Sequence, residues 1–247
     1  MRWCAVHVRR SRLTGAIAAL YNPPNSSWMG ADLAPFFSNA DVPIAYQLLS
    51  WVQEFLVEPH AMIKRSGRSG AEPICPFAKP VLNENALYMV FHREINGKSA
   101  ELIESTVLGY REPFKKATPF QQEERLKKAL LIVFPEIPAE ETEVLDLVHA
   151  AVKSQFVRDG LMLAQCHARC DGRSVHNRAL RVYTSPYPMF ALRHMAMHDI
   201  LFLEENEAWF SAYDLRFGSR FKEPERLEEL EKPLLEIYRR AKTRYLR

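Results

Sequence analysis

The chain lacks the features that announce the commoner enzyme classes. It has four cysteines in 247 residues, Cys4, Cys75, Cys166 and Cys170. They are too few and too irregularly spaced for a secreted disulfide scaffold, which favours reduced thiols and a cytoplasmic location. No glycine-rich phosphate loop, Rossmann fingerprint, nucleophile elbow or HExxH pair is present. No apolar run approaches the roughly 18–20 residues of a membrane span. Excess charge of one sign is missing as well. The 33 basic and 30 acidic residues leave a formal net charge of +3, so no overall field argues for nucleic acid or an anionic membrane as partner. What remains is a globular composition, 47% hydrophobic, in a length that suits one large domain or two small ones.

Residues 1–28 carry Arg9, Arg10 and Arg12 ahead of the short apolar run from Leu13 to Leu20, and NPPNSSW follows in place of a small-residue cleavage site. A leader-like extension and a start at Met29 both suit this pattern. The expected organisation is a poorly ordered extension over 1–28 and one α+β domain over 29–247.

Hydrophobic periodicity orders the remainder. PIAYQLLSWVQEFLVE, with Asp41 as N-cap and Pro43 in the first turn, places Ala45, Leu48, Leu49, Val52, Phe55 and Leu56 on one helical face and stops at Pro59. KRSGRSGAEPICPFAKP reads as a loop feeding a strand in ALYMVFHRE. A turn at Asn96-Gly97, a helix from Ala100 to about Arg111, a polar helical segment around QQEERLKK and a buried strand ALLIVFP follow. Residues 139–158 read as the strongest helix, with Val144, Leu147, Val148, Ala151, Val152 and Phe156 at helical spacing and a stop at Asp159-Gly160. LMLAQCH and PMFALRHM are strands. EENEAWFSAYDLRF and 223–246 are helices, the second burying Leu227, Leu230, Leu234, Ile237, Tyr238 and Ala241. This succession predicts an α+β fold: one antiparallel or mixed sheet with helices packed on one face, loosely ferredoxin-like.

Three stretches are candidates for chemistry. In EPICPFAKP, three prolines hold Cys75 in extended backbone, either as a stiff connector or to present its thiol to a ligand. Lys79 either acts on that thiol or on a ligand acid, or stands in solvent. CHARCDGRSVHN gathers Cys166, His167, Cys170, Asp171 and His176. Its Cys-x3-Cys spacing, with a His beside the first Cys and no second half-site, matches no common zinc pattern, so the plainest reading is a strand end running into a polar loop. Cys166 and Cys170 are expected as free thiols. In ALRHMAMHD, His194 and His198 share a face only in a helix, and the strand pattern separates them. Arg193, at the inner end of a buried strand, needs an anionic partner, either a structural carboxylate or a ligand acid.

Taken in order, GxEPICPFAKPVL, ALLIVFP, GLMLAQCH and HNRALRVYTSPYPMFALRHMAMHDILFL resemble a bacterial family of unknown function marked by a Cys-Pro-Phe segment, over about residues 67–217. A more distant similarity is to the YqcI/YcgG family, which includes haem-dependent N-hydroxylases of guanidino amino acids. That family's Pro-Cys-x-x-Ala-Lys segment falls on Cys75, Ala78 and Lys79, and its strand-terminal His on His167. Its Phe-Asn-Leu-His segment falls on Phe190 to Arg193, so the second His lands on Arg193 or one position on at His194, and Ala168 stands where the usual Pro follows the first. The resemblance implies a haem-dependent oxygenase-like enzyme of small-molecule biosynthesis, N-hydroxylating an amino-acid-like substrate. His167 is then the axial metal ligand, Cys75, Lys79, Arg193 and His194 line the cofactor site, and Cys75 and Arg193 take catalytic positions. The alternatives are a non-enzymatic binding or accessory protein of a biosynthetic pathway, and a thiol enzyme with Cys75 as nucleophile and His167 as base. The expected partners are a small-molecule substrate and, in a homodimer, a second copy of the chain.

Overall fold

The computed structural model describes residues 6–8, 20–21, 40–64, 70–116, 122–229 and 231–246. Two short strands, β1 (Val6–Val8) and β2 (Leu20–Tyr21), pair antiparallel with each other, and β1 also pairs with the strand at Leu87–Phe91. The rest of the 1–28 extension, Met29 and Leu230 lie outside the described residues.

Helix α1 (Asp41–Trp51) continues into a π-helical turn, Val52–Val57, and buries Ile44, Ala45, Leu48 and Val52, close to the stripe expected. Asp41 is not its cap. It is the first helical residue, buried, and accepts from Arg93 Nε at 2.7 Å. Strands β3 (Pro59–His60) and β4 (Glu72–Pro73) then form a small antiparallel ladder. The EPICPFAKP stretch departs from the expected strand entry. Cys75 donates its N–H to Leu56 O (3.0 Å), and the chain winds into α2 (Ala78–Asn83). Pro80 does not break this helix because it sits in the first turn, where backbone N–H groups have no intrahelical partner.

The central sheet comprises β5 (Leu87–Phe91), β6 (Ala129–Val133), β7 (Leu161–Cys166) and β8 (Met189–His194) in the order β5-β6-β8-β7. β5 and β6 are parallel, joined through α3 (Ala100–Leu108) and α4 (Arg111–Lys116), and β8 is antiparallel to both its neighbours. The α+β class and the mixed sheet are as expected. The element order, β-α-β-α-β-β once α5 (Glu143–Arg158) is counted, differs from the β-α-β-β-α-β of a ferredoxin-like unit.

Alternation along the strands creates two cores. Tyr88, Val90, Leu130, Ile132, Leu163, Phe190 and Leu192 face α3, α4 and α5. Leu87, Met89, Leu131, Val133, Cys166 and Met189 face α1 and α2. Helices therefore cover both faces where one was expected, because strands such as ALLIV are apolar on both sides and each side needs a cover. In α5 the buried residues are Leu145, Val148, Val152, Phe156 and Val157, and Leu147 is 68% exposed. The apolar face is thus rotated from the expected one, and Asp146 and His149 turn toward β7. Gly160 closes the helix at φ +74°, a left-handed conformation in which a Cβ would also lie 2.4 Å from Arg216 Nε.

A third core forms beyond the end of the sheet from α6 (Ile200–Leu203), α7 (Glu207–Phe217) and α8 (Lys232–Tyr245). Asn206 caps α7 by accepting from Trp209 N (3.1 Å). α8 begins later than the 223–246 pattern suggested, since Pro224–Arg226 form a separate 3-10 turn. Among the described residues no helix is long and apolar enough to cross a membrane.

Candidate functional site

Strand alternation at β8 parts two of the expected site residues. Arg193 follows Met189 and Ala191 to the α1–α2 face, and His194 follows Phe190 and Leu192 to the other. The Arg193 guanidinium lies over the Phe77 ring at 4.2 Å. Its two terminal nitrogens donate to the two Asp199 oxygens at 2.7 and 2.6 Å, and Nη1 also donates to His194 O at 2.9 Å. Of the two anionic partners foreseen, the structural carboxylate is the one the fold supplies, in a bidentate pair.

His194 instead packs its ring on Phe114 at 5.2 Å with its Nε2 buried and without a partner. His198 sits in the 3-10 turn Met197–Asp199, so the two histidines share no helical face. Lys79 is exposed on α2. Cys75, Cys166 and Cys170 are free thiols, as expected for the latter two, and Cys75 is half-buried against the α1–α2 core.

The residues of CHARC behave differently. His167 directly follows β7 and turns beneath α5, only 1% exposed. Its Nε2 lies 3.3 and 3.2 Å from the two carboxylate oxygens of Asp146, and its Nδ1 is buried without a partner. Cys170 is buried, and its N–H donates to His167 O (3.1 Å), so a tight turn brings the thiol back beside the imidazole. Gln165 Nε2 donates to Asp146 Oδ1 at 3.0 Å and holds that carboxylate in place. One turn along α5, His149 Nε2 donates to Leu163 O at 2.9 Å and seats the helix on the same strand. One donor atom each from Asp146, His167 and Cys170 lies within 4.8 Å of the others.

Both contacts lie within hydrogen-bond range, as for one N–H shared between the two carboxylate oxygens, and the same spacing would also suit two ligands of one ion. A charge-assisted N–H···O bond has a heavy-atom separation of about 2.7–2.9 Å, shorter than the 3.2 and 3.3 Å here. Two ligands about 2.0–2.1 Å from a tetrahedral ion stand about 3.3–3.4 Å apart, and a nitrogen and a thiolate about 3.6 Å apart. Burial pushes the Cys170 thiol up, which favours the protonated form when no cation is bound.

As a haem set, the residues implied by the family resemblance do not fit one macrocycle. Cys75 and Arg193 lie on the α1–α2 face, and His167 and His194 on the α3–α5 face. The register Leu161↔His194 and Cys166↔Met189 also puts the two histidines at opposite ends of the strands, roughly 20 Å apart for the six residues from Leu161 to His167. The sheet likewise stands between Cys75 and His167, so they do not form a nucleophile–base pair.

Cys75→Ser is accordingly expected to cost about 1 kcal/mol, the price of placing a hydroxyl among apolar side chains, and to leave metal binding at Asp146, His167 and Cys170 unchanged. Thermal melts and a zinc titration of this variant check both halves, and loss of zinc binding would contradict the separation of the faces.

The two buried histidines predict an acid sensitivity. Burial brings His149 and His194 from the ordinary 6.5 down to about 4, aided at His149 by Lys153 and at His194 by Lys128 and Arg125. Both are neutral in the folded chain at pH 7, whereas the unfolded chain protonates them near 6.5. Their contribution is thus fully present above pH 6.5 and is lost as pH falls toward 4, at a limiting rate of about 1.4 kcal/mol per pH unit per histidine. Urea midpoints should fall between pH 7 and pH 5, and less steeply in His194→Phe. A flat wild-type profile over that range would refute the assignment.

One family model, described as Domain of unknown function (DUF6875), matches residues 45–228. The match bears out the expectation of a family of unknown function and reaches beyond the 67–217 segment, but gives no evidence for a Cys-Pro-Phe hallmark or for a link to the YqcI/YcgG family. It takes in the whole central sheet and Asp146, His167 and Cys170. No curated protein and no solved structure matches the chain.

Proposed function

The chain belongs to the DUF6875 family, a domain of unknown function, and from its own residues we propose that it is a metal-dependent protein acting on a small molecule. Its ion, a zinc-like divalent cation, is held by Asp146, His167 and Cys170. The observation that supports this reading is the convergence of a carboxylate, an imidazole and a thiol within 4.8 Å, two of them buried. A thiol with an imidazole selects a borderline-soft ion such as zinc over magnesium or calcium. The Asp146 side chain is 43% exposed, so a fourth position would face solvent. Three protein ligands with one open position is the donor count of catalytic rather than closed structural zinc sites.

When bound, the ion supplies Lewis-acid polarisation of a coordinated water or carbonyl. The chain's own residues do the positioning. Gln165 orients the Asp146 carboxylate, the seating of α5 on β7 brings Asp146 over the strand end, and the 167–170 turn fixes thiol and imidazole together.

Metal analysis of protein grown with supplementary zinc and then dialysed tests the reading. About one equivalent is expected in the wild type, with loss of the metal in Cys170→Ser and His167→Ala. A metal-free wild type that instead gives a shifted Soret band with haemin, lost in His167→Ala, would replace the metal reading with the haem-dependent oxygenase reading.

A further inference from the structure

A shallow, largely open cleft of about 750 Å³ lies between the outer face of α1 with its π turn, the loop that leads into β8 and Ala168. Its helical wall presents Tyr46, Trp51 and Phe55, and its loop wall is Thr184, Ser185 and Pro186. The Trp51 and Phe55 rings stack at 6.0 Å with 29° between their planes. Trp51 Nε1 donates to Thr184 O at 2.9 Å, which ties the indole to the opposite wall and fixes its orientation. Ser185 Oγ donates to Tyr187 O at 2.7 Å and stiffens the loop side. Tyr46 is exposed. Glu54, also exposed, is the single charged residue among those lining the cleft.

We propose that this cleft binds a small organic cation through an alkylammonium group. Aromatic faces carry the negative end of the ring quadrupole and attract a cation within about 6 Å, and the cleft offers three such side chains beside one carboxylate. No lysine, arginine or histidine lines it among the described residues, although the chain as a whole is positive at +3. The local sign is therefore opposite to that of the bulk, which selects a cation and repels an anionic ligand. An apolar neutral ligand would use the rings but gain nothing from Glu54. The cleft is shallow and largely open to solvent, so a ligand would lie against the aromatic wall without being enclosed. Ala168, next to His167, also lines the cleft and places it beside the 167–170 turn, but the proposal rests only on the aromatic wall and Glu54.

The test uses the full chain, labelled with ¹⁵N, and follows the Trp51 indole N–H, identified by its disappearance in Trp51→Phe. Titration with tetramethylammonium chloride is expected to give a saturable shift of this resonance that sodium chloride at matched ionic strength does not. Tert-butanol, a neutral isostere of similar size, is expected to bind at least about tenfold more weakly. Glu54→Gln, a change at an exposed position, is expected to weaken tetramethylammonium binding at least about threefold with the Trp51 reporter intact. The absence of a saturable shift, equal affinity for tert-butanol, or unaltered binding in Glu54→Gln would each overturn the proposal.

Discussion

Replacing Arg193 with methionine should destabilise the protein by about 3–5 kcal/mol, because the change leaves the Asp199 carboxylate buried and without its counter-charge. Asp199 has only 1% of its side chain exposed, whereas Arg193 has 20%. The two single variants should therefore differ. Asp199→Asn leaves a guanidinium that still reaches some water and still stacks on Phe77, so its cost should fall at or below the lower end of that range. The carboxylate also accepts from Ala196 N at 2.7 Å and so pins the turn after β8. That turn carries Met197, whose carbonyl accepts from Tyr213 Oη at 2.7 Å and joins the sheet to the C-terminal helical core. Loss of the pair should therefore loosen α6–α8 before the sheet, visible as faster amide exchange in Glu207–Phe217 than in Ala129–Val133. A double variant, Arg193→Met with Asp199→Leu, should recover part of the loss, as expected when a buried pair is replaced by apolar groups. Urea melts of the two singles and the double close the cycle. An Arg193→Met variant within about 1 kcal/mol of wild type would show that the pair is not needed for the fold.

The second large effect belongs to the metal centre. Binding to the folded chain alone stabilises it by mass action, by about 4 kcal/mol when free metal exceeds its Kd 1,000-fold. For a chain of this size that corresponds to a rise in Tm of roughly 8–16 °C. Zinc should produce such a shift in the wild type, a chelator should reverse it, and Cys170→Ser should remove it. The same substitution in the absence of metal should move Tm by only a few degrees, because Cys170 is a small buried side chain whose Sγ has a weak 3.9 Å contact to Gln165 O. A Cys170→Ser variant that keeps the full zinc-dependent shift would remove the thiol from the ligand set.

Much of this architecture is legible in the sequence because each strand is a short apolar run bounded by polar or proline-containing segments, and β5 to β8 all fall where that pattern places them. The errors have local causes. α2 is six residues long with a proline inside it, so periodicity has nothing to detect and Pro80 looks like a breaker until its first-turn position is known. Leu145 and Leu147 both fit a helical stripe, and only the seating of α5 on β7 decides that the first is buried and the second is not. At the site, half of the information is local. His167 and Cys170 stand together in one motif, and the need of Arg193 for an anion is met by Asp199 six residues on. Asp146 is invisible in that motif because it comes from another element, 21 residues before His167, and reaches the imidazole only through the α5–β7 packing. The zinc patterns of sequence reading rely on ligand spacing within short loops, which a ligand donated by a packed helix does not obey.

The most direct test of the metal centre is the absorption spectrum of the protein titrated with cobalt(II), whose visible bands report coordination number and whose near-ultraviolet band reports a thiolate ligand. The account predicts a thiolate-to-cobalt band that saturates at one equivalent together with visible bands of tetrahedral intensity, the first lost in Cys170→Ser, both lost in His167→Ala, and both retained in Cys75→Ser. A spectrum that stays that of aqueous cobalt with stoichiometric protein, or a thiolate band that survives Cys170→Ser and vanishes in Cys75→Ser, would contradict it.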